Sequence, residues 1–207
     1  MIPVVKESWI YIVPLSLAAT LLFLLHSFTA GSVALLIRGL FLYFFRDPER
    51  KIPSGEGLIL APADGRVVRI LVPGGEDGEE RLLVSIFLSL LDVHVNRSPV
   101  GGVVSDVTYK KGSFRLAFQD EASQENEQNI ISLKHGQDRI TLKQIAGLIA
   151  RRVVCWVKPN QAVEAGQRIG FIKFGSRVDL ILPRGSKIEV RKGDKVKGGV
   201  TIIGRLA

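Results

Sequence analysis

Between Ser8 and Ile37 the chain carries no Lys, Arg, Asp or Glu, and the stretch Trp9–Leu25 reads WIYIVPLSLAATLLFLL. A helix that crosses the hydrocarbon of a bilayer needs roughly 20 apolar residues. A run of nearly that length dictates an element in or against a membrane before anything else about the fold is considered. Trp9 and Tyr11 stand at one end of it, where amphipathic rings settle at the headgroup level. A second run, Ser32–Phe45, contains Arg38 and is too short and too charged for a second span. The segment therefore reads as a single span or a shallow hairpin turning through Thr29-Ala30-Gly31. A cleavable leader is the competing reading. It is disfavoured by the weak n-region Lys6-Glu7, the length of the run and the lack of a small-x-small site after it. Arg46, Asp47, Glu49, Arg50 and Lys51 come directly after it, a mostly basic collar suited to an anionic cytoplasmic leaflet. The expected organisation is a membrane anchor over residues 1–45 and a domain over 46–207, the latter on the cytoplasmic side of the cell membrane.

Beyond residue 46 the pattern changes. The whole chain has 207 residues, 46% of them hydrophobic and 23% charged, enough apolar content for one sizeable core and too little charge for disorder. The net charge of +8 is assigned to the membrane surface, and no nucleic-acid partner is expected. A single cysteine, Cys155, excludes an intrachain disulfide and a Cys-based zinc site; no metal is expected. With 21 Gly and 9 Pro, short apolar runs alternate with turn signals such as Ala63-Asp64-Gly65 and Lys192-Gly193-Asp194. Leu58–Leu60, Gly65–Leu71, Leu82–Leu88, Gly102–Tyr109, Ile130–Leu133, Ile140–Leu142, Val153–Val157, Ile169–Phe174, Val178–Leu182, Ile188–Val190 and Thr201–Leu206 read as strands. Leu142–Arg152 fits a helix or a strand. A weak repeat sets Val157-Lys158, Val163-Glu164 and Gly166 against Val190-Arg191, Val196-Lys197 and Gly199, 33 positions later. Such hairpins build barrel-sandwich domains, so the expected class is mainly β, a lipoyl-like β domain with few helices behind an N-terminal helical membrane segment. The strands do not alternate with long helices and no Gly-rich phosphate loop occurs, which excludes a doubly wound nucleotide-binding fold.

Three residues are candidates for chemistry. His94 lies in SLLDVHVNRSP, just past an apolar strand, with Asp92 on the same face of an extended segment. Asp64 lies in APADG, where an Asp-Gly turn is the plain alternative. Ser176 lies in FIKFGSRVD, where Gly-Ser inside a strand pattern also suits a bulge. His26 and His135 have no chemical context. Taken together, Ser176, His94 and Asp64 form a Ser–His–Asp set with two outlets. Ser176 attacks an outside acyl group, for which the G-x-S-x-G elbow is missing, or it attacks its own upstream carbonyl at Gly175 and the chain cuts itself.

Six separated blocks carry a resemblance: YFFRDPERKIP (Tyr43–Pro53), APADG (Ala61–Gly65), FLSLLDVHVNRSP (Phe87–Pro99), GSFRLAFQDEASQENEQN (Gly112–Asn129), QIAGLIARRVVCWV (Gln144–Val157) and GQRIGFIKFGSRVDLILP (Gly166–Pro183). In this order they resemble the short, bacterial and archaeal form of phosphatidylserine decarboxylases. The long form carries Leu-Gly-Ser-Thr where this chain has Phe174-Gly175-Ser176-Arg177, and a second His where this chain has Arg97.

The resemblance implies a proenzyme that cuts itself between Gly175 and Ser176 into a large chain (1–175) and a small chain (176–207). His94, oriented by Asp64, would activate Ser176, which would end as an N-terminal pyruvoyl group, the covalent cofactor. That group would form a Schiff base with the amine of phosphatidylserine, and His94 would act as general acid after loss of CO2, yielding phosphatidylethanolamine. Arg97, Lys111, Arg115 and Arg177 are candidate contacts for the substrate's phosphate or carboxylate. The implied partners are a phosphatidylserine-containing membrane and a heterodimer of the two cut chains, with further oligomerisation open. Two alternatives stand beside this reading: a membrane-anchored, lipoyl-like module without activity, and a pyruvoyl decarboxylase acting on another headgroup.

Overall fold

The computed structural model describes residues 3–72, 81–114, 125–147, 152–173 and 175–207. The chain divides into two units, Met1–Glu49 and Arg50–Ala207. In the first, a 3-10 turn (Lys6–Ser8) leads into α1 (Trp9–Leu24), followed by α2 (Phe28–Phe44). The two helices form a hairpin whose turn is Leu25–Ser27, not Thr29–Gly31. His26 adopts a left-handed φ of 57°, and the Ser27 amide donates to Leu22 O while the His26 amide donates to Phe23 O. This pairing satisfies the last carbonyls of α1 and ends it. Gly31 serves packing instead of turning: a Cβ there would stand 2.9 Å from the Phe23 ring. The bases of the helices are tied by hydrogen bonds from Val5 N to Phe45 O and from Asp47 N to Pro3 O. Among the described residues, one helix, Lys6–Leu24, is long and apolar enough to cross a membrane by length and composition; Phe28–Phe44 is shorter.

The second unit is mainly β. Its strands are β1 (Leu58–Leu60), β2 (Gly65–Leu71), β3 (Leu82–Leu88), β4 (Val95–Arg97), β5 (Gly102–Lys110), β6 (Gln128–His135), β7 (Asp138–Ala146), β8 (Val153–Cys155), β9 (Ala162–Val163), β10 (Arg168–Ile172), β11 (Ser176–Leu182), β12 (Lys187–Ile188), β13 (Lys195–Val196) and β14 (Ile202–Arg205). Eight form one sheet in the order β13-β2-β3-β11-β7-β6-β5-β9; β1-β14-β12 and β4-β10-β8 form two smaller ones. The ambiguous run from Leu142 is strand as far as Ala146, because β7 lies between β11 and β6 and its backbone is paired on both sides; residues 148–151 lie outside the described set.

Alternation decides the faces of the large sheet. Val84, Ile86 and Leu88 of β3, Val178, Leu180 and Leu182 of β11, and Ile140, Leu142 and Ala146 of β7 are buried in one core. The other face of the same strands holds Ser85, Arg177, Asp179, Thr141 and Lys143, with Asp179 opposite Ser85 on one side and Lys143 on the other.

The weak repeat is a structural one. The Asn160 amide donates to Val104 O and the Val104 amide to Gln161 O; 33 positions on, the Gly193 amide donates to Val67 O and the Val67 amide to Asp194 O. Gly166 N to Ser98 O is matched by Gly199 N to Ala61 O, and Arg97 N to Pro62 O by Leu60 N to Pro99 O. A second pair of equivalent segments lies 37 positions apart: Pro62, Gly65 and Val67 correspond to Pro99, Gly102 and Val104. Under that correspondence Asp64 matches Gly101, so the acid belongs to one half only.

Candidate active site

Ser176 opens β11, opposite Leu88 of β3 on one side and Ala146 of β7 on the other. It shares the inward face with Val178, and its relative exposure is 0%. Its hydroxyl has no hydrogen-bond partner among the described residues. A buried hydroxyl left without a partner costs about 1–3 kcal/mol, which marks Ser176 as a candidate for a role other than packing. Gly175 precedes it at φ 60°, and a side chain there would meet nothing within 4 Å. The backbone, not the space, therefore demands glycine, since left-handed φ is cheap only without a Cβ.

His94 is fully buried, just before β4. Its Nδ1 is 2.9 Å from the Asp92 carbonyl oxygen. A carbonyl only accepts, so Nδ1 carries the proton and Nε2 is the basic nitrogen. The His94 carbonyl accepts from the Ile172 amide, which pins the histidine to the connection that runs into Ser176. Residues 89–92 are a turn, not an extended segment. The Asp92 carboxylate closes it by accepting from Ser89 N (2.8 Å) and Ser89 Oγ (2.7 Å), so Asp92 meets His94 through its backbone.

Asp64 precedes β2. Its carboxylate accepts from Arg50 Nη2 at 3.0 and 2.8 Å and from the Gly198 amide at 2.8 Å. These are its hydrogen bonds among the described residues; none goes to His94. The fold thus brings Asp64, His94 and Ser176 to one end of the large sheet, where β3 and β7 finish and β2 and β11 begin, while the residue that fixes the His94 ring is Asp92.

The cationic candidates diverge. Arg177 is 1% exposed and is held by Asp179 (2.6 and 3.2 Å) and Ser85 (3.0 Å) on the other face of the sheet. A guanidinium committed to an internal ion pair is not presented to a ligand. Arg97 is buried and donates to Gly166 O. Lys111 is exposed at the end of β5, and Arg115 lies outside the described residues. Burial pushes the Cys155 thiol up, which keeps it in its protonated form.

Sequence reasoning missed a chain of buried amides. Asn129 Nδ2 donates to Gln144 Oε1 (3.4 Å) and Gln144 Nε2 to Asn96 Oδ1 (2.7 Å). The Asn96 Nδ2 has no partner among the described residues. Gln144 lies opposite Val178 and two residues from Ala146, so the chain lines the inward face beside Ser176. Asn126 Nδ2 also donates to the carbonyl of Ala146 (2.7 Å). The signal was available: in Ile140-x-Leu142-x-Gln144-x-Ala146 the alternation places a glutamine where a core residue belongs.

Among the described residues no group of three or more His, Cys, Asp and Glu is arranged to hold a metal ion. The arrangement offers a desolvated serine, a histidine with a fixed tautomer, and a carbonyl immediately upstream of the serine.

A family profile described as phosphatidylserine decarboxylase matches residues 37–204. The chain is 44% identical to the phosphatidylserine decarboxylase proenzyme of Wolbachia sp. subsp. Brugia malayi (strain TRS), over 97% of this chain and 90% of the relative. It is 42% identical to that of Symbiobacterium thermophilum, over 98% and 95%. With the proenzyme of Wolbachia pipientis wMel the identity is 47% over 79% and 74%.

Proposed function

The chain belongs to the phosphatidylserine decarboxylase family, and on that premise we propose that it converts phosphatidylserine to phosphatidylethanolamine after cutting itself between Gly175 and Ser176. The observation that carries the reading is the Ser176 hydroxyl: buried, without a partner among the described residues, and directly after a left-handed glycine. His94 takes the Ser176 proton on Nε2. The Ser176 oxygen adds to the Gly175 carbonyl, the C–N bond breaks as His94 returns the proton to the leaving amine, and an ester replaces the amide. Removal of the Ser176 α-proton then expels Gly175 as a carboxylate and leaves a dehydroalanine. Addition of water with loss of ammonia makes the new N-terminus a pyruvoyl group.

Ser176 and its surroundings fit that group: a small oxygen-bearing residue on the inward face, flanked by Leu88 and Ala146, where water is excluded. The pyruvoyl group supplies an electrophilic carbonyl for the substrate amine and a sink for the electron pair left by CO2. His94 then delivers a proton to the substrate carbon. The two product chains stay together, because residues 176–207 supply β11 at the centre of the large sheet and β12 and β14 in a smaller one. A two-chain lipid does not readily leave its bilayer, so the apolar Lys6–Leu24 helix and the basic Arg46 and Lys51 suit work at the cytoplasmic membrane face, whereas Arg50 of the expected collar is committed to Asp64. The test is release of CO2 from phosphatidylserine vesicles by purified protein whose mass shows chains 1–175 and 176–207. A cleaved protein that leaves phosphatidylserine untouched but decarboxylates another amine headgroup would move the substrate assignment.

Asp64 can orient His94 only when its pair with Arg50 opens and the His94 Nδ1 proton leaves the Asp92 carbonyl. Arg50→Gln, which frees the carboxylate, should then process at least as fast as the parent, while Asp64→Asn slows processing by about tenfold or more. Time courses of cleavage after synthesis check this. Equal slowing in both variants would mean that Asp64 serves only as the partner of Arg50.

A further inference from the structure

At the sheet end that holds Ser176, β3 runs into Ser89-Leu90-Leu91-Asp92. Leu90 is 47% and Leu91 70% exposed, and Leu91 is the most exposed large apolar side chain of the second unit among the described residues. Single exposed leucines are ordinary. Two adjacent ones, held outward at the sheet end that buries the candidate serine, are not. The turn is closed by Asp92 on Ser89 through the amide, the hydroxyl and a backbone bond from Asp92 N to Ser89 O, so the leucines are displayed by a built structure. Register puts Leu88, the residue before the turn, directly opposite Ser176, and His94 lies two residues past the turn.

The surroundings select the occupant. Lys111, Arg152 and Lys197 are exposed on loops at this same end, against Glu125 as an exposed acid. Exposed apolar residues at a sheet end that also exposes cations match an anionic bilayer surface.

We propose that the Leu90-Leu91 turn is a lipid-contacting element that seats the Ser176 end of the β unit in the interface of an anionic bilayer. It rests on the reading that the substrate is a membrane lipid, and adds how the site meets it. The N-terminal helices hold the protein at the membrane, and the turn orients the catalytic end toward it. A lipid headgroup then reaches the serine without its acyl chains crossing water.

The test labels full-length protein, in a Cys155→Ala background, with a nitrobenzoxadiazole group at Leu91→Cys or at Val72→Cys. Val72 is 62% exposed and stands just past β2, at the opposite end of the sheet. Vesicles contain phosphatidylglycerol, which is anionic and is not decarboxylated, and phosphatidylcholine brominated in its acyl chains. The residue 91 label should shift to the blue and lose about half of its emission or more on the vesicles, and the residue 72 label should be unaffected. No quenching at 91, or equal quenching at both positions, would overturn the proposal. Cross-linking of Leu91→Cys to a second copy, with the label shielded from lipid, would assign the turn to self-association and overturn it as well. Decarboxylation of phosphatidylserine by the unlabelled parent is measured separately. Its absence strikes the enzymatic reading, whereas its presence without quenching strikes only the lipid-contacting turn.

Discussion

Ser176→Ala should yield a single chain of 207 residues with no decarboxylase activity. Removing Oγ removes the only atom at this position that can attack the Gly175 carbonyl, so the ester never forms and the pyruvoyl end is never made. The fold should tolerate the change well. The Ser176 hydroxyl has no hydrogen bond to lose among the described residues, and alanine suits the inward face beside Leu88 and Ala146. Thermal stability should therefore stay equal to or above that of the unprocessed parent, since a buried unsatisfied hydroxyl is removed. The measurements are intact mass, melting temperature and CO2 release. A cleaved Ser176→Ala chain, or an active uncleaved one, would end the assignment.

His94→Gln should separate the two uses of the histidine. Glutamine keeps a polar side chain of similar reach but cannot act as a base, and loss of general acid–base work costs about 10²–10⁴-fold. Processing should slow by a factor in that range, and decarboxylation by whatever cleaved fraction accumulates should fall by a similar one. Replacing Asp92 by asparagine should be far milder for catalysis. The His94 ring is fixed by the Asp92 carbonyl, which survives the substitution, and the side-chain amide oxygen still accepts from Ser89. Parent-like processing by His94→Gln would assign serine activation to another base.

The motif blocks APADG, DVHVNRSP and FGSR made Asp64, His94 and Ser176 legible as candidates, because the residue types are those that acid–base and acyl chemistry require. The partnerships were not legible. Asp64 stands beside Arg50, 14 positions earlier, and Gly198, 134 positions later; no local pattern relates three such residues. Arg177 reads in the sequence as a candidate substrate contact next to the proposed cut, but alternation along β11 turns it to the face opposite Ser176, where Asp179 claims it. The hairpin turn was displaced for a related reason. Glycine at position 31 signalled a bend, whereas the helix end is set by a left-handed histidine and Gly31 by its contact with Phe23.

Period, composition and covalent neighbourhood are enough to establish the apolar N-terminal helix, the strand-rich remainder, the 33-residue repeat, and a Gly-Ser bond whose two reacting groups are adjacent in the chain. Three further features exist only once the chain has folded: which half of the pseudo-symmetric β unit carries the acid, which carbonyl sets the tautomer of His94, and the buried amide chain that Asn129, Gln144 and Asn96 form beside Ser176. The difference is one of range. Strand and helix preferences are fixed by neighbours two to four positions away, but a hydrogen bond needs its partner within about 3 Å. Here the Gln144–Asn96 and Arg177–Ser85 hydrogen bonds join residues 48 and 92 positions apart, and even the nearer pairs, Asp92–His94 and Asn129–Gln144, take their geometry only once the sheet has closed around its core.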